Sequence, residues 1–361
     1  MANLVGDVSS AARILPELNG EKLFIRKGKG AWLWDDNGRR YIDTALGFGA
    51  VLLGHADDRV NAAVTEALGD SAAPSWAHVR EHAAATALAA HTGQLTKVMF
   101  TNSGSEAVHL ACRAARAYTG RGKIAKMAAG FDGWFDDVSF GNVTSDEAHF
   151  ADGERPSTPR TTLLRFNDFD DVERLFAEDA DIAAVILEPM LANAGCIMPL
   201  PGYLKHVQAI AHAHGALVIC DEVLMGFRLH AGLAGLLDGL DPDLASVGKA
   251  IGNGVPISVL LGSAEVMNVL DEAFFSFTFG GDMLAKVAGA KESHGAPPGT
   301  YLLVALATLW PLSAFLPAGL NHMRRHPGNS AVWFCLLWII PSWVIFELVP
   351  TKLPHYVLPL Y

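Results

Sequence analysis

Two short, uninterrupted apolar runs constrain the fold of this chain most strongly. They are IAAVILEP at residues 182–189 and ALVICDEV at residues 216–223. A strand that is apolar at every position, rather than at every second one, is typical of a parallel sheet covered on both faces. A helical pattern over residues 203–214 separates the two runs. The sequence therefore predicts an α/β protein with a mainly parallel central sheet.

A third strand and helix are predicted upstream, around the sequence KVMFTNSGSEAV. Residues 98–100 are apolar, and a helical pattern follows over residues 105–120. Because ligands bind outside the carboxyl ends of the strands in such sheets, the small residues Ser103, Gly104 and Ser105 become candidates. Free N–H groups and the helix dipole favour a phosphate there. An ordinary N-cap at Ser103 or Ser105 is the alternative, and this motif alone favours it.

Two further strand ends carry ionisable side chains. Asp221 and Glu222 directly follow an apolar run, and a buried carboxylate there needs a cationic partner. Lys249 follows another apolar run and lies close to glycines, which let a ligand approach the backbone. A lysine becomes nucleophilic where desolvation or a neighbouring cation lowers its pKa. Taken singly, each of these residues is more often a surface charge than a catalytic group.

Taken together, the phosphate cradle, the carboxylate and the amine match the groups by which a protein holds pyridoxal 5′-phosphate: its phosphate, its pyridine nitrogen and its aldehyde. The order and the local sequences resemble class III, fold type I pyridoxal-phosphate aminotransferases, with glutamate-1-semialdehyde aminomutase and ω-aminotransferases as nearest relatives. The resemblance runs from about residue 12 to about residue 288 and includes TNSGSEAVHLACRAARAYTGR, VILEPMLANAG, ICDEVLMGFR and FTFGGDMLA.

The resemblance implies a role for each matching position. Lys249 would bond to the cofactor aldehyde and shuttle a proton, and Asp221 would keep the pyridine nitrogen protonated. Thr278 would reach the phosphate across a dimer interface, which implies a homodimer. The implied cofactor-binding residues are Ser103, Gly104, Ser105, Phe131, Glu188, Asn193, Asp221, Lys249 and Thr278.

Two aromatic positions are less specific. Phe131 would stack on the cofactor ring, and Phe48 would line the substrate pocket. A core position is an equally good interpretation of either side chain. Phe131 is followed by Asp132, where the family usually has a histidine.

The implied reaction is transfer of an amino group between an amine or amino acid and a carbonyl compound, by an aminotransferase or an aminomutase. The substrates would be small molecules. No arginine can be assigned to a substrate carboxylate; the candidates are Arg13, Arg26 and Arg228.

Residues 301–361 have a different composition, with only four charged side chains and four of the eight tryptophans. The uncharged run 301–320 and the apolar run from 331 to 345 and beyond approach the roughly 20 residues that a membrane helix needs. They predict two membrane spans, with buried helices of a soluble core as the alternative. Residues 289–361, including PTKLPHY, resemble a fragment of a membrane glycosyltransferase of the aminoarabinose transferase or protein mannosyltransferase type.

Three parts are therefore predicted. Residues 1–55 form the N-terminal aminotransferase segment and residues 56–288 the large domain that binds pyridoxal phosphate. Residues 289–361 are a hydrophobic membrane-type segment in place of the family's C-terminal small domain. The alternative function is a catalytically incompetent truncated fusion, associated with a membrane through residues 300–349.

Composition excludes several other classes. The net charge of −11 comes without a basic run, which argues against nucleic acid as a partner. The four cysteines are scattered without metal-type spacing, so neither a metal site nor disulfides are expected. The N-terminus lacks the pattern of a secretory signal, and a cytoplasmic location is expected for the cofactor domain.

Overall fold

The structure, a computed structural model, describes residues 4, 17–18, 20–70, 77–151 and 153–270. The N-terminal part is built from short antiparallel strands. Two of them pair as a ribbon, and the next three form a small sheet. These strands are β1 (Glu17–Leu18), β2 (Glu21–Lys22), β3 (Ile25–Lys29), β4 (Trp32–Asp35) and β5 (Arg40–Ile42).

A seven-stranded sheet forms the centre of the described region. Its strands in chain order are β6 (Lys97–Thr101), β7 (Lys123–Met127), β8 (Thr161–Leu164), β9 (Ile182–Leu187), β10 (Leu217–Glu222), β11 (Leu244–Val247) and β12 (Ser258–Gly262). In space the order is β6-β12-β11-β10-β9-β7-β8. This confirms the predicted α/β architecture.

The sheet is mixed rather than wholly parallel. Strands β7 to β11 pair in parallel, whereas β12 is antiparallel to both β11 and β6. The connection between β11 and β12, residues 248–257, is shorter than the dozen or more residues that a parallel crossover needs. The chain therefore returns in the opposite direction, which the sequence patterns did not predict.

The described helices are α1 (Leu46–Gly49), α2 (Asp58–Asp70), α3 (Val79–Ala89), α4 (Gly104–Thr119), α5 (Asp136–Ser139), α6 (Phe169–Glu178), α7 (Tyr203–Ala213) and α8 (Ala264–Met267). Residues of α4 and α8 pack in one core cluster of the sheet, and residues of α3, α6 and α7 pack in the other. Short 3-10 turns span Asp146–Ala148, Ala234–Asp238, Lys249–Ile251 and Asn268–Leu270. The helices predicted at residues 105–120 and 203–214 correspond to α4 and α7.

The core explains why β9 is apolar at every position. Ala184 and Ile186 pack into the cluster that contains α4, while Val185 and Leu187 pack into the cluster that contains α6 and α7. Successive side chains of a strand point to opposite faces, and here each face meets a helix layer. All six residues of β9 are buried.

The predicted membrane segments, 301–320 and 331–345, lie outside the described residues. Thr278 and the whole of 289–361 lie outside them as well. Among the residues that the structure does describe, no helix is both long and apolar enough to cross a membrane.

Candidate active site

The carboxyl ends of β6, β9, β10 and β11 open onto one cavity of about 340 Å³. Parallel strands end at the same edge of a sheet, so the residues that follow them are brought together. The lining residues are Ala50, Asn102, Ser103, Gly104, Ser105, Phe131, Asp132, Gly133, Glu188, Asn193, Asp221, Val223, Leu224, Lys249, Gly254, Val255, Pro256, Ile257 and Ser258.

One wall of the cavity is the N-terminus of α4. Ser103 is its N-cap: the Ser103 hydroxyl accepts from Glu106 N–H at 3.3 Å, and the Glu106 carboxylate accepts from Ser103 N–H at 2.9 Å. This capping box leaves the N–H groups of Gly104 and Ser105 with no acceptor in the described part of the chain. The predicted N-cap and the candidate anion cradle therefore coincide, because Ser103 caps the helix and Ser103, Gly104 and Ser105 all line the cavity.

Asp221 is the penultimate residue of β10, and it is almost wholly buried. Its Oδ1 accepts from Val223 N–H at 2.9 Å and from the Ser246 hydroxyl at 3.0 Å. Oδ2 has no hydrogen-bond partner within the described residues. Burial raises the pKa of Asp221 well above its ordinary value, and the nearby charges of Asp132 and Glu188 add to the rise.

The neighbouring Glu222 has a structural role, because it binds backbone N–H groups of another segment. Its carboxylate accepts from Ala234 N–H at 2.9 Å and from Gly235 N–H at 2.7 Å, at the start of a 3-10 turn. Consecutive strand residues face opposite sides of a sheet, so only one of the two carboxylates can face the cavity. That residue is Asp221.

Lys249 follows β11 and is partly buried beside the cavity. Its φ angle is 44°, a left-handed conformation that is strained for a lysine and that is often found at functional sites. Burial lowers its pKa, the Arg228 charge lowers it further, and the charges of Asp221 and Glu188 oppose this. In the part of the chain that the structure describes, its amino group has no hydrogen-bond partner.

Glu188 directly follows β9 and holds the loop that carries Phe131. Its carboxylate accepts from Phe131 N–H at 3.1 Å and from Ala192 N–H at 3.4 Å. Burial, and then the charge of Asp132, raises the pKa of Glu188 to about 7. Asn193 completes this wall of the cavity.

A buried charged pair lies behind the same wall. Lys126, on β7 between β9 and the edge strand β8, is fully buried, and its Nζ lies 3.4 Å from Asp132 Oδ2. Nζ also donates to the carbonyl oxygens of Gly130, at 2.7 Å, and Met127, at 3.3 Å. Asp132 is itself 2% exposed and lines the cavity.

Eight of the nine cofactor-binding residues named from the sequence line this one cavity, and only Thr278 lies outside the described residues. The core interpretation of the two aromatics is wrong, since Phe131 is 48% and Phe48 is 59% exposed in this chain. Phe131 borders the cavity, and Phe48 lies two residues from Ala50 on its rim.

Three features of the site were missed from the sequence. The Ser246 hydroxyl lies inside β11, and only its register against Asp221 reveals its role. Lys126 alternates with apolar residues in KIAKM, a pattern that is also typical of an exposed strand. Residues 254–258 reach the cavity because the chain turns back into β12.

Of the three arginines named as candidates for a substrate carboxylate, Arg228 lies beside a residue that lines the cavity, Leu224. Its Nε donates to Leu224 O at 2.9 Å, and its Nη2 donates to Gly49 O. Its charge acts on Lys249. Arg26 is exposed on β3, and Arg13 lies outside the described residues.

Pyridoxal 5′-phosphate presents a phosphate, a ring nitrogen and an aldehyde to its protein. For each of these the cavity offers a group that has no partner among the residues that the structure describes. Those groups are the N–H pair of α4, Asp221 Oδ2 and the Lys249 amine. The volume lies within the usual range of about 300–1,000 Å³ for small-molecule sites. The fold and the cavity therefore place the chain among the enzymes that use this cofactor.

A comparison with protein-family models narrows this class. Residues 17–292 match the family aminotransferase class-III, and the chain belongs to that family. Its members are enzymes that use pyridoxal phosphate to transfer amino groups.

Comparisons with individual proteins are consistent with this family assignment. The chain is 36% identical to glutamate-1-semialdehyde 2,1-aminomutase of Myxococcus xanthus, over 88% of this chain and 75% of that protein. It superposes with a TM-score of 0.70 on an ω-transaminase from Sphaerobacter thermophilus, at 33% identity over 76% of this chain and 67% of the other. A transaminase structure described as having pyridoxal phosphate bound gives a TM-score of 0.70 at 28% identity, over 85% of this chain and 76% of the other.

The chain spans between 66% and 77% of the length of five curated aminomutase relatives. The predicted resemblance of residues 289–361 to a membrane glycosyltransferase finds no support in these comparisons, and neither does a membrane association. Both rest on the sequence patterns alone.

Proposed function

We propose that this chain binds pyridoxal 5′-phosphate at Lys249 and uses it to move an amino group between an amine or amino acid and a carbonyl compound. The observation that carries the proposal is the Lys249 amine, partly buried and without a hydrogen-bond partner in the described region. It lies beside the cavity that Asp221 also faces. An amine left unpaired in a partly desolvated site is suited to covalent chemistry.

The N-terminus of α4 would hold the phosphate. Ser103, Gly104 and Ser105 all line the cavity, and the N–H groups of Gly104 and Ser105 have no acceptor among the described residues. The helix dipole adds a partial positive charge at the same place. Asn102 N–H is not available, because it donates to Glu106 at 2.7 Å.

Asp221 would hold a proton at the ring nitrogen. Two hydrogen bonds fix Oδ1 and leave Oδ2 towards the cavity. Burial, with the charges of Asp132 and Glu188, raises the pKa of Asp221, so its carboxyl group needs a cationic partner to be ionised, and a protonated ring nitrogen would be that partner. When bound, the cofactor supplies a protonated ring that accepts electrons from the substrate carbon.

Lys249 would move protons at Nζ. Burial and the Arg228 charge lower its pKa, which increases the fraction present as a free amine near neutral pH. The strained backbone at φ 44° fixes where the side chain leaves the strand end.

Phe131, Glu188 and Asn193 would shape the wall beside the ring. The Glu188 carboxylate fixes the Phe131 backbone at 3.1 Å and so orients the loop. The Phe131 ring is half exposed at the cavity, in a position where a planar ligand can stack on it.

The family resemblance supports two further proposals. Thr278 would contact the phosphate of a second copy of the chain, which makes a homodimer the proposed catalytic unit. We also propose the division into residues 1–55, 56–288 and 289–361. The cofactor-binding domain, residues 56–288, would lie in the cytoplasm. Whether the reaction is transamination or an aminomutase reaction depends on the substrate, and the curated aminomutase relatives favour the second.

The visible absorption of the purified full-length protein, loaded with pyridoxal phosphate, tests the proposal. A band from the lysine-bound cofactor is expected, and Lys249→Ala should abolish it. Lys205→Ala is the matched control, because Lys205 is an exposed lysine on α7 outside the cavity lining. Absence of the band in the parent protein would support the alternative, a truncated fusion without catalytic activity.

A further inference from the structure

The turn that carries Lys249 has a strained backbone at both of its ends. Lys249 has a φ angle of 44°, and Asn253 near the end of the turn has the same angle. Asparagine adopts this left-handed region more readily than most residues, whereas for lysine it is unfavourable. Such strain persists only where the surrounding structure imposes it. The contacts that fix this turn therefore also fix the point from which the lysine side chain starts.

Backbone hydrogen bonds close the turn on Lys249 itself. The carbonyl oxygen of Lys249 accepts from Gly252 N–H at 3.0 Å and from Asn253 N–H at 3.2 Å. In the middle of the turn, Ile251 is buried and packs into the core cluster that contains α6 and α7. Packing thus holds the middle of the turn, and the end of the turn depends on Asn253.

The Asn253 side chain binds a segment 200 residues earlier in the chain. Its Oδ1 accepts from Leu53 N–H at 2.8 Å, and its Nδ2 donates to Gly54 O at 3.1 Å. Asn253 is 8% exposed, so water competes little for these two bonds. One side chain therefore joins the turn of Lys249 to the segment that follows Ala50, a residue of the cavity lining.

Asn167 has the same arrangement elsewhere in the chain. Its φ angle is 68°, its Nδ2 donates to Met198 O at 2.9 Å, and its Oδ1 accepts from Leu200 N–H at 2.8 Å. Asn167 is not among the residues that line the cavity. The two asparagines are alike in backbone conformation and in hydrogen bonding, but of the two only Asn253 is bonded to Lys249.

We propose that Asn253 is a positioning residue: by binding residues 53 and 54 it holds the turn in its strained conformation and so prepares Lys249 to receive the cofactor. A lysine that is already held in place loses less conformational freedom when the cofactor binds. This inference rests on the proposed function, and it adds to the site a residue that does not line the cavity.

The test titrates the cofactor-free, full-length protein with pyridoxal phosphate and follows the absorption of the lysine-bound cofactor. Asn253→Gly leaves the left-handed backbone accessible and removes both side-chain hydrogen bonds, so the affinity for the cofactor should fall about tenfold. Asn167→Gly is the matched control and should keep the parental affinity. Urea unfolding should show that both variants are less stable than the parent. A merely structural role of Asn253 would lower the stability without changing the affinity.

Hydrogen exchange in the parent protein is a second measurement, and it needs no variant. Coupling between two sites is reciprocal, so cofactor binding at Lys249 must strengthen the hydrogen bond of Leu53 N–H by the factor that this bond contributes to affinity. Exchange of the Leu53 amide should therefore slow about tenfold on loading with pyridoxal phosphate. Exchange of the Leu200 amide, which Asn167 binds, should not change.

Equal affinities of the parent and Asn253→Gly, or an equal decrease in the two glycine variants, would overturn the inference. Exchange at Leu53 that the cofactor leaves unchanged would also overturn it, and this measurement decides if Asn253→Gly does not fold. A parent protein without the absorption band contradicts the proposed function itself, so the two failures are distinguishable.

Discussion

The Ser246 hydroxyl donates a hydrogen bond of 3.0 Å to Asp221 Oδ1, because the two residues are paired in the parallel register of β11 and β10. Val223 N–H donates to the same oxygen at 2.9 Å. The two donors fix the rotation of the carboxyl group. Its second oxygen is therefore presented to the cavity by the sheet itself.

Replacement of Asp221 by Asn should keep the shape of the side chain and remove its ability to hold a proton at the ring. We expect turnover to fall roughly 10²–10³-fold, the typical effect of removing one preorganised electrostatic group. Steady-state kinetics of the loaded enzyme with a panel of amino donors measures this.

Ser246→Ala is the control for that change, because it removes one hydrogen bond and leaves the carboxyl group in place. Its loss should be about tenfold or less, as expected for a hydrogen bond of about 1 kcal/mol. Equal losses in the two variants would show that the charge of Asp221 contributes no more to turnover than one of its hydrogen bonds.

Ser103→Ala should have two separable effects. Loss of the N-cap of α4 should reduce the free energy of unfolding by about 1 kcal/mol. Loss of the hydroxyl should also weaken cofactor affinity about tenfold, because hydrogen bonds to charged groups contribute more than neutral ones. Denaturant unfolding measures the first effect, and a pyridoxal phosphate titration of the cofactor-free protein measures the second.

Ser263→Ala is the matched variant, since Ser263 caps α8 by accepting from Val266 N–H and lies outside the cavity lining. It should lose stability but keep its affinity for the cofactor. If both variants bind the cofactor equally well, Ser103 has no role beyond the cap.

The sequence patterns predicted those features of the fold and site that depend on a single strand or helix. The uninterrupted apolar residues of β9 and β10 predicted two-sided burial, and strand ends located Asp221 and Lys249. The patterns did not predict features that depend on contacts between different segments of the chain. The antiparallel β12 follows from the length of one connection, and the buried Lys126 is explained only by Asp132 in the next loop.

Glu188 should make the stability of the cofactor-free protein depend on pH. Its ordinary pKa of 4.5 rises to about 7 in the folded protein, chiefly through burial. Between these values the folded protein holds a proton that the unfolded chain has released. The free energy of unfolding should therefore fall as the pH rises from 4.5 to 7, with a contribution of about 3 kcal/mol from this group.

Glu188→Gln should remove that contribution and reduce the slope of the pH profile in this window, while the raised pKa of Asp221 keeps part of it. Urea unfolding at several pH values measures the difference, with Glu178→Gln, at the exposed end of α6, as a control that keeps the parental slope. An unchanged slope in Glu188→Gln would show that Glu188 does not titrate in this window.

The location of the covalent bond tests the central claim most directly. Borohydride reduction of the protein loaded with pyridoxal phosphate, followed by proteolysis and peptide mass spectrometry, identifies the lysine that carries the cofactor. The site described above predicts a single adduct, on Lys249. An adduct on another lysine, or none under conditions where the protein is folded, would contradict it.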